Sequence, residues 1–384
     1  RCHLQGNTVL EEDKSFFDFK PGMKLDDVMN VFLPRFKDDE RFIMASHVDR
    51  LKMSQCFIKS NDELTCITCH NPHLSINATP KVVYKNACYS CHSDLKEHEN
   101  EQGDDCVSCH MPKSGSTDIP HVTVTDHKIA ITQHMSLSES KSVKEFIGLY
   151  CVNNSSPSDL TILRAYLQQY EKFEKENYYL DSAFVYLSKI PLEMCTSEWI
   201  KFYFFSLDFN GLVNWFERAS FESRSNQLNK RSYTNDDAWS WYRVGESYYK
   251  TKNYEKASVC FEQASLLAPF HLEIQNKFGM ALLKCNRLKE AQKVFEFVRS
   301  ENPNFEKVYA NYGYLYTILG EFDLALIMYE KGIALNPDIV QLWMNLAAYY
   351  LHFQNIESAQ NSLSQVLRIK PNHKRAQQLL NQIK

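Results

Sequence analysis

The sequence predicts an all-α protein in two parts: short helices and loops wrapped around bound prosthetic groups, then a solenoid of paired helices. Two observations predict this fold class. The motif Cys-x-x-Cys-His occurs three times between residues 66 and 110, and from residue 238 an apolar pattern repeats about every 34 residues. The two parts also differ in composition, because ten of the thirteen histidines lie before residue 136.

Length and charge limit the class of protein. The chain has 384 residues, which is enough for two or three domains. Its 43 basic and 47 acidic residues leave a net charge of −4, which does not indicate a nucleic-acid partner. No stretch approaches the ~18 consecutive apolar residues of a membrane-spanning helix, so we expect no membrane span in this fragment.

The three motifs indicate covalent attachment of c-type haem. Two thiols three residues apart reach the two vinyl groups of one porphyrin, and the histidine that follows is held against the iron from one face. A single match is compatible with chance or with a zinc site, but three matches in so short a span favour haem. The cysteines expected to form thioethers are Cys66, Cys69, Cys88, Cys91, Cys106 and Cys109.

The first residues of the chain match the end of a fourth motif, whose first cysteine would precede Arg1. We therefore expect Cys2 to form a thioether, His3 to bind iron, and the chain to be a fragment of a longer protein. The alternative is that these terminal residues are unrelated to haem. With the three complete motifs, the expected content of this fragment is four haem c groups.

The ligand at the sixth coordination position of each haem iron distinguishes two classes of protein. A second histidine at the iron suits electron transfer, whereas an open position can bind and transform a ligand. His3, His70, His92 and His110 are the proximal ligands, and the remaining histidines outnumber the sixth positions. The candidate distal ligands are His47, His73, His121 and His127, whereas His98 in a charged run and His134 are expected to be solvated.

Each distal candidate has a local reason. His73 is the third residue after His70, so it lies beside one haem and can ligate a neighbouring one. His47 lies on the flank of a helix expected over residues 38–56, where apolar residues recur every three to four positions. His121 follows a proline and His127 lies in a turn, both beyond the last motif.

Five of the twelve cysteines lie outside the motifs, so at least one is expected to be a free thiol. Cys151 and Cys195 could form a disulfide in an oxidising compartment. Cys260 and Cys285 fall on expected helices, where we interpret them as small buried hydrophobes.

The middle of the chain is expected to connect the two parts. Residues 1–135 form the cytochrome domain, truncated at its N-terminus, and the polar residues 136–156 form a linker. Ser156 is expected to cap a helix that has Pro157 in its first position. Residues 157–237 are expected to form degenerate helical repeats that lead into the solenoid.

Residues 238–373 match the tetratricopeptide pattern in four consecutive copies. Small residues recur where the two helices of a repeat cross, aromatic residues recur between repeats, and a proline follows each second helix. Examples are Gly245, Phe261 and Pro269 in the first copy. Residues 374–384 are expected to form a helix that caps the open end of this α-solenoid.

The first helix of each repeat is expected to line a concave groove that binds a protein partner. Its inward positions form an apolar, aromatic surface, which usually marks a contact site. The alternative is that the cytochrome domain or residues 157–235 fold back and fill the groove. The predicted groove residues are Trp239, Tyr242, Tyr249, Met280, Leu283, Tyr314, Ile318, Met344 and Leu351.

At residues 66–73, 106–112 and 118–129 the chain resembles a family of bacterial multihaem cytochromes c fused to tetratricopeptide repeats. Its haem part is similar to the tetrahaem and octahaem cytochromes c of nitrogen-cycle bacteria. The resemblance covers nearly the whole chain and implies additional haem motifs upstream of Arg1, one of which His121 or His127 could serve. No Cys-x-x-Cys-Lys motif of the nitrite-reductase kind occurs in this sequence.

The expected function is that of an exported electron-transfer protein. Closely spaced bis-histidine haems would carry electrons, and the solenoid would dock the chain to a redox or envelope complex. Because c-type haem is normally attached outside the cytoplasm, the expected location is the periplasm, cell surface or exterior of a bacterium. Two alternatives stay open: part of a multihaem redox enzyme whose catalytic haem lies upstream, and a scaffold or assembly protein in which the solenoid carries the function.

Overall fold

The computed structural model describes residues 6–37, 47–61, 63–92, 106–115, 123–130, 145–219, 228 and 235–383. The chain divides into two compact units, Arg1–Lys189 and Ile190–Lys384. The division falls inside the segment 157–237 that the sequence predicts as degenerate repeats. The fold is mainly helical, as predicted, and its second unit is built of consecutive helix pairs.

The first unit combines short strands with short helices. Several elements of this unit are only three or four residues long, whereas the helices of the second unit are longer. In chain order the elements are β1 (Asn7–Leu10), β2 (Met29–Phe36), α1 (His47–Lys52), α2 (Gln55–Lys59), α3 (Cys66–Cys69), α4 (Lys81–Tyr89), α5 (Cys106–His110), β3 (Lys113–Gly115), β4 (Thr123–Thr125), β5 (Phe146–Cys151), α6 (Asp159–Lys172) and α7 (Asn177–Leu187).

A three-stranded antiparallel sheet, which is not expected from the sequence, organises this unit. Its strand order is β1-β2-β5, so the sheet pairs a segment near residue 30 with one near residue 150. Strand β2 is the central strand, and its residues Val31, Phe32 and Leu33 are buried. Helix α6 is fastened to the sheet, because Asn7 Nδ2 donates to Ala165 O at 2.7 Å. The sheet gives this unit a protein core of its own.

The helix predicted over residues 38–56 is not continuous. Residues 38–46 lie outside the described residues, and α1 ends at Lys52. A second helix, α2, begins at Gln55, where the hydroxyl of Ser54 accepts a hydrogen bond from Phe57 N at 3.2 Å. A serine that satisfies a free backbone N–H at a helix start favours a new helix over continuation of the old one.

The helix predicted to start near Pro157 begins two residues later than expected. Its cap is Ser158, whose hydroxyl accepts from Thr161 N at 3.1 Å. The predicted cap, Ser156, instead donates its backbone N–H to Asn154 Oδ1 at 2.9 Å. The prediction of Ser156 as the cap is therefore wrong, because Ser158 stands directly before the first helical residue.

The second unit is a run of antiparallel helices joined by short turns. Helix α8 follows a short 3-10 turn at Leu192–Met194. In chain order the helices are α8 (Thr196–Phe205), α9 (Phe209–Arg218), α10 (Asn235–Lys250), α11 (Tyr254–Leu267), α12 (Leu272–Lys284), α13 (Leu288–Glu301), α14 (Lys307–Leu319), α15 (Phe322–Leu335), α16 (Val340–His352), α17 (Ile356–Ile369) and α18 (Lys374–Gln382).

The helix boundaries follow the repeat markers. In α10 to α17 the second helix of each pair ends two residues before a proline, at Pro269, Pro303, Pro337 and Pro371. Proline cannot continue a helix, because it lacks the backbone N–H. The aromatic markers form the core between helices, with Trp241, Phe261, Phe295 and Tyr309 fully buried.

Helices α8 and α9 precede the first repeat and pack against α10. Ile200 and Phe216 share a core cluster with Trp241 and Tyr248. In the described part of the chain, no helix has both the length and the apolar character needed to cross a membrane.

Cys151 and Cys195 are both buried and neither takes part in a disulfide, so the disulfide considered between them is not formed. The Cys151 thiol lies 3.7 Å from Asn30 Oδ1, on the sheet of the first unit. The Cys195 thiol donates to Pro191 O at 3.4 Å, at the start of the second unit. Cys260 is fully buried, as the sequence predicts, whereas Cys285 is half-buried.

Candidate functional site

The cysteines of the first and third motifs lie on short helices, α3 and α5, whereas the second motif begins at Cys88 near the end of α4 and continues into the turn after it. In a helix, residues three apart lie on the same side, so the two thiols of the first motif face the same way, and so do those of the third. His70 N donates to Cys66 O at 2.8 Å, and His92 N donates to Cys88 O at 3.0 Å. The backbone therefore holds each of these histidines directly after its pair of thiols.

The thiols of different motifs lie close together. Burial, together with the neighbouring Cys106 and Cys69 thiols, raises the pKa of the Cys88 thiol to about 11. Burial likewise raises the pKa of Cys69, with Cys66 and Cys56 adding to the effect. Residues from all three complete motifs thus share one region of the first unit.

His110 of the third motif is oriented by a backbone carbonyl. Its Nδ1 donates to Ala130 O at 3.0 Å, and Ala130 N donates back to His110 O at 3.2 Å. Strands β3 and β4 form a two-stranded antiparallel sheet that brings the segment 123–130 next to this motif. Because the carbonyl can only accept, the ring lone pair is on Nε2, the atom available to bind a metal.

The structure brings together three of the candidate histidines. The rings of His47 and His127 lie 4.6 Å apart between centroids, at an angle of 65°. The rings of His70 and His127 lie 6.1 Å apart, at 31°. His127 Nδ1 donates to Thr125 O at 3.0 Å, so its lone pair is also on Nε2. Two candidate distal ligands and one predicted proximal ligand therefore share one site.

Other predicted ligands lie apart from this group or outside the described residues. His73 and His92 are exposed, and His73 N donates to Asn71 Oδ1 at 2.9 Å. The predicted ligands that fall outside the described residues are Cys2, His3 and His121, and the same holds for His98 and His134.

Two ion pairs at this site were not singled out from the sequence. Arg50 forms a bidentate ion pair with Asp126, in which Nε donates to Oδ1 at 2.8 Å. Arg35 on β2 donates to Asp49 Oδ1 at 2.5 Å. Burial raises the pKa of Asp126, but hydrogen bonds from Arg50 and from Lys128 N outweigh it and hold the pKa below its ordinary value. Their positions in the sequence could have singled out Arg50 and Asp126, because Arg50 is three residues after His47 and Asp126 directly precedes His127.

The residues present fit covalently attached haem. In the described part of the chain the motif cysteines are free thiols, as thioether formation requires, and the two members of each pair are three residues apart. His110 and His127 each donate Nδ1–H to a carbonyl, the arrangement that orients a metal-binding imidazole. The pairs that would hold haem are Cys66 with Cys69, Cys88 with Cys91 and Cys106 with Cys109, and the adjacent iron ligands would be His70, His92 and His110.

The predicted groove residues differ in exposure. Tyr314 and Ile318 are exposed, at 40% and 42%, whereas Leu283 is buried at 8% and belongs to the core between repeats. Lys284 lies over the Tyr314 ring, 5.6 Å from its centroid. The half-buried members are Trp239, Tyr242, Tyr249, Met280, Met344 and Leu351.

Charged residues near these positions are paired. Lys277 Nζ lies 2.7 Å from Glu246 Oε1, and Lys307 Nζ lies 2.9 Å from Glu273 Oε2. Burial raises the pKa of Tyr242, and the nearby carboxylates of Glu246 and Glu273 raise it further. Acid and base alternate here, so this surface has no dominant sign of charge.

Family models match three parts of the chain. The doubled CXXCH motif matches residues 59–97, and tetratricopeptide-repeat models match residues 238–271 and 316–383. The doubled motif indicates c-type haem binding of the multihaem kind, and the repeats indicate a protein-interaction module.

The chain is similar to curated relatives over part of its length. It is 27% identical over 133 residues to the BBSome complex member BBS4 homolog of Drosophila melanogaster, and 25% identical over 96 residues to the tetratricopeptide repeat-containing protein trd-1 of Caenorhabditis elegans. These matches cover 34% and 25% of this chain, and only 27% and 12% of the relatives.

Among solved structures, a thermophilic tetratricopeptide protein of Thermus thermophilus is 18% identical, with a TM-score of 0.39, covering 46% of this chain and 90% of that one. MamA of Desulfovibrio magneticus is 20% identical, with a TM-score of 0.33, covering 43% of this chain and 94% of that one. Likeness at this level concerns the helical fold and carries no functional argument.

Proposed function

We propose that this chain belongs to an exported multihaem c-type cytochrome, which carries electrons through closely spaced haems and is docked to a protein partner by its solenoid. The proposal includes four haem c groups in this chain and a location in the periplasm or at the surface of a bacterium. Export follows from the haem chemistry, because c-type haem is normally attached outside the cytoplasm.

The observation that carries the proposal is the proximity of thiols from different motifs. The Cys106 and Cys69 thiols lie near enough to Cys88 to raise the pKa of its thiol. Porphyrins attached at such neighbouring thiols would have short edge-to-edge distances, which favour electron transfer from one to the next. Haem, once attached, supplies a one-electron couple whose potential depends on axial ligand, burial and hydrogen bonding.

The positions of the candidate distal histidines favour electron transfer over binding and conversion of a substrate at the iron. His47 and His127 lie beside His70, a proximal ligand. A second imidazole at an iron closes the position that a substrate would need. His127 has its lone pair on Nε2, so it suits this role.

Exposed apolar residues on the solenoid support docking to a protein partner. Tyr314 and Ile318 expose apolar area, whereas the aromatic markers Trp241, Phe261, Phe295 and Tyr309 are buried. Aromatic residues are enriched among those that dominate binding energy at protein interfaces. The docking partner we propose is therefore a protein, in a redox or envelope complex.

The test is to express this chain in a bacterium with the machinery for c-type haem attachment. Pyridine haemochrome analysis should give four haems per chain, and electron paramagnetic resonance should show low-spin signals. Replacing Cys69 with Ser should remove a thioether and shift the haemochrome absorption. Cys56→Ser is the matched control, because Cys56 lies near Cys69 but outside every motif.

Three results would contradict parts of the proposal. A stoichiometry of three haems would reject the truncated fourth motif as an attachment site. A dominant high-spin signal would reject closed coordination and favour an enzyme. The rate at which a donor in the membrane fraction reduces these haems should exceed the rate at which it reduces a free cytochrome. If the two rates are equal, the scaffold alternative is favoured.

A further inference from the structure

The separation of His70 and His127 matches two imidazoles on opposite sides of one metal ion. Imidazole nitrogens bind first-row metal ions at about 2 Å, which places the centroids of two such rings roughly 6 Å apart. The observed distance is 6.1 Å, and the rings are inclined by only 31°. His47 is too close to His127 to share an ion with it in this way, because those centroids are 4.6 Å apart.

The ring of His127 is already set for ligation by its own backbone. The Nδ1–H group donates to Thr125 O at 3.0 Å, two residues earlier on β4. This hydrogen bond selects the tautomer with the lone pair on Nε2 and limits rotation of the ring.

The residue before His127 is fixed on several sides. Asp126 Oδ1 accepts from Arg50 Nε at 2.8 Å and from Lys128 N at 2.9 Å, and Asp126 N donates to Pro112 O at 3.0 Å. The side chains of Arg50 and Asp126 are 4% and 6% exposed. A planar guanidinium that binds both carboxylate oxygens fixes direction as well as distance.

Arg50 is anchored in turn to the sheet. It lies on α1, where the preceding residue, Asp49, accepts from Arg35 Nη2 of β2 at 2.5 Å. Lys52, two residues after Arg50, also contacts this region, because its Nζ donates to Val152 O at 2.6 Å, just after β5. The sheet, α1 and the turn that carries His127 are therefore joined by consecutive polar contacts.

We infer that His127 and His70 would together hold the iron of a haem attached at Cys66 and Cys69, and that Arg50 and Asp126 are the positioning residues that keep His127 in place for this role. The inference rests on the proposed haem-binding function. It assigns one of the distal candidates to one particular haem, and it gives the buried ion pair a role in the spin state of that haem.

Four variants of the haem-loaded chain test the inference by electron paramagnetic resonance and carbon monoxide binding. His127→Ala should convert one low-spin haem per chain to high-spin and create one carbon monoxide site. Asp126→Asn should open the same haem in part and shift its midpoint potential. Because a lone buried Arg50 would be destabilising, the double variant Arg50→Met with Asp126→Leu removes both charges and should retain the fold. It should still show the high-spin signal.

The control is Glu145→Gln, which breaks the exposed Lys37–Glu145 ion pair and leaves Arg50, Asp126 and the contacts of α1 intact. It should leave the spin state unchanged. If it opens a haem as much as Asp126→Asn does, the effect follows from the loss of any ion pair in this unit, and the positioning role is overturned. The role is also overturned if the double variant is spectroscopically identical to wild type.

The haem is identified by repeating His127→Ala in a Cys66→Ser, Cys69→Ser background. With that haem gone, the substitution should produce no new high-spin signal, and a new signal would overturn the pairing with His70. A wild-type chain without any haem overturns the proposed function and this inference together. If the wild-type chain carries haem but the His127→Ala variant stays low-spin, only the inference is overturned.

Discussion

Gly313 lies directly against the ring of Tyr329, where a Cβ atom on the glycine would be 2.4 Å from Cε1. The same relationship recurs in the preceding repeat, where a Cβ on Gly279 would be 2.4 Å from Phe295 Cε1. The two helices of a repeat can approach this closely only if one of them has no side chain at the crossing point. The repeat marker is thus a steric requirement.

Gly313→Ala should destabilise the solenoid. Tyr329 is 1% exposed, so its ring has little room to move, and overpacking of this kind costs about 1–3 kcal/mol. Urea unfolding followed by circular dichroism measures the change. Ala348→Ser, at an exposed position in α16, is the control and should stay within about 0.5 kcal/mol of wild type. Equal stability of Gly313→Ala and wild type would show that the crossing can widen.

Alkaline pH should weaken the solenoid between about pH 10 and pH 12. Burial raises the pKa of Tyr329 to about 12, and the hydrogen bond with Thr317 opposes this only in part. An unfolded tyrosine ionises near pH 10. The folded state therefore keeps this stabilisation below pH 10 and loses it as pH rises towards 12. For Tyr329→Phe the difference from wild type should be constant below pH 9 and shrink above pH 10, in urea midpoints measured across the range.

Replacement of His47 or His73 by alanine should open a haem if each is a distal ligand. The expected result is a high-spin spectrum and new carbon monoxide binding, whereas His98→Ala should leave the spectra unchanged. Equal behaviour of all three variants would contradict the assignment of distal ligands. The two cases differ in structure, because His47 lies beside His127 while His73 is exposed in the turn after His70.

Substitution in the predicted groove should abolish partner binding without unfolding the chain. Exchanging Tyr242, Tyr249 and Tyr314 together for Ser would also disturb the core, because Tyr242 and Tyr249 pack against it. Tyr314→Ser with Ile318→Ser removes exposed apolar area instead. Loss of a co-purifying partner, with haem spectra and melting temperature unchanged, is the expected outcome. A lower melting temperature with partner binding intact would mean that the groove is internal core.

The sequence alone determined the features whose chemistry is local. A porphyrin attachment site needs two thiols and an imidazole within five residues, so Cys66, Cys69 and His70 identify it without any fold. The helix pairs from residue 238 onward are similarly readable, because each repeat packs mainly on its sequence neighbours. Gly313 and Tyr329, for example, meet within one helix pair.

Only the tertiary structure decided the arrangements that join distant segments. The sheet pairs Phe32 with Cys151, and Arg50 meets Asp126 across 76 residues. His127 lies 6.1 Å from His70 between ring centroids, and its turn is held by the β3–β4 pair and by this ion pair. No periodicity encodes such contacts, since they depend on how separate elements pack. The motifs therefore indicate what this chain binds, and the packing of distant charges and strands brings His47 and His127 beside His70.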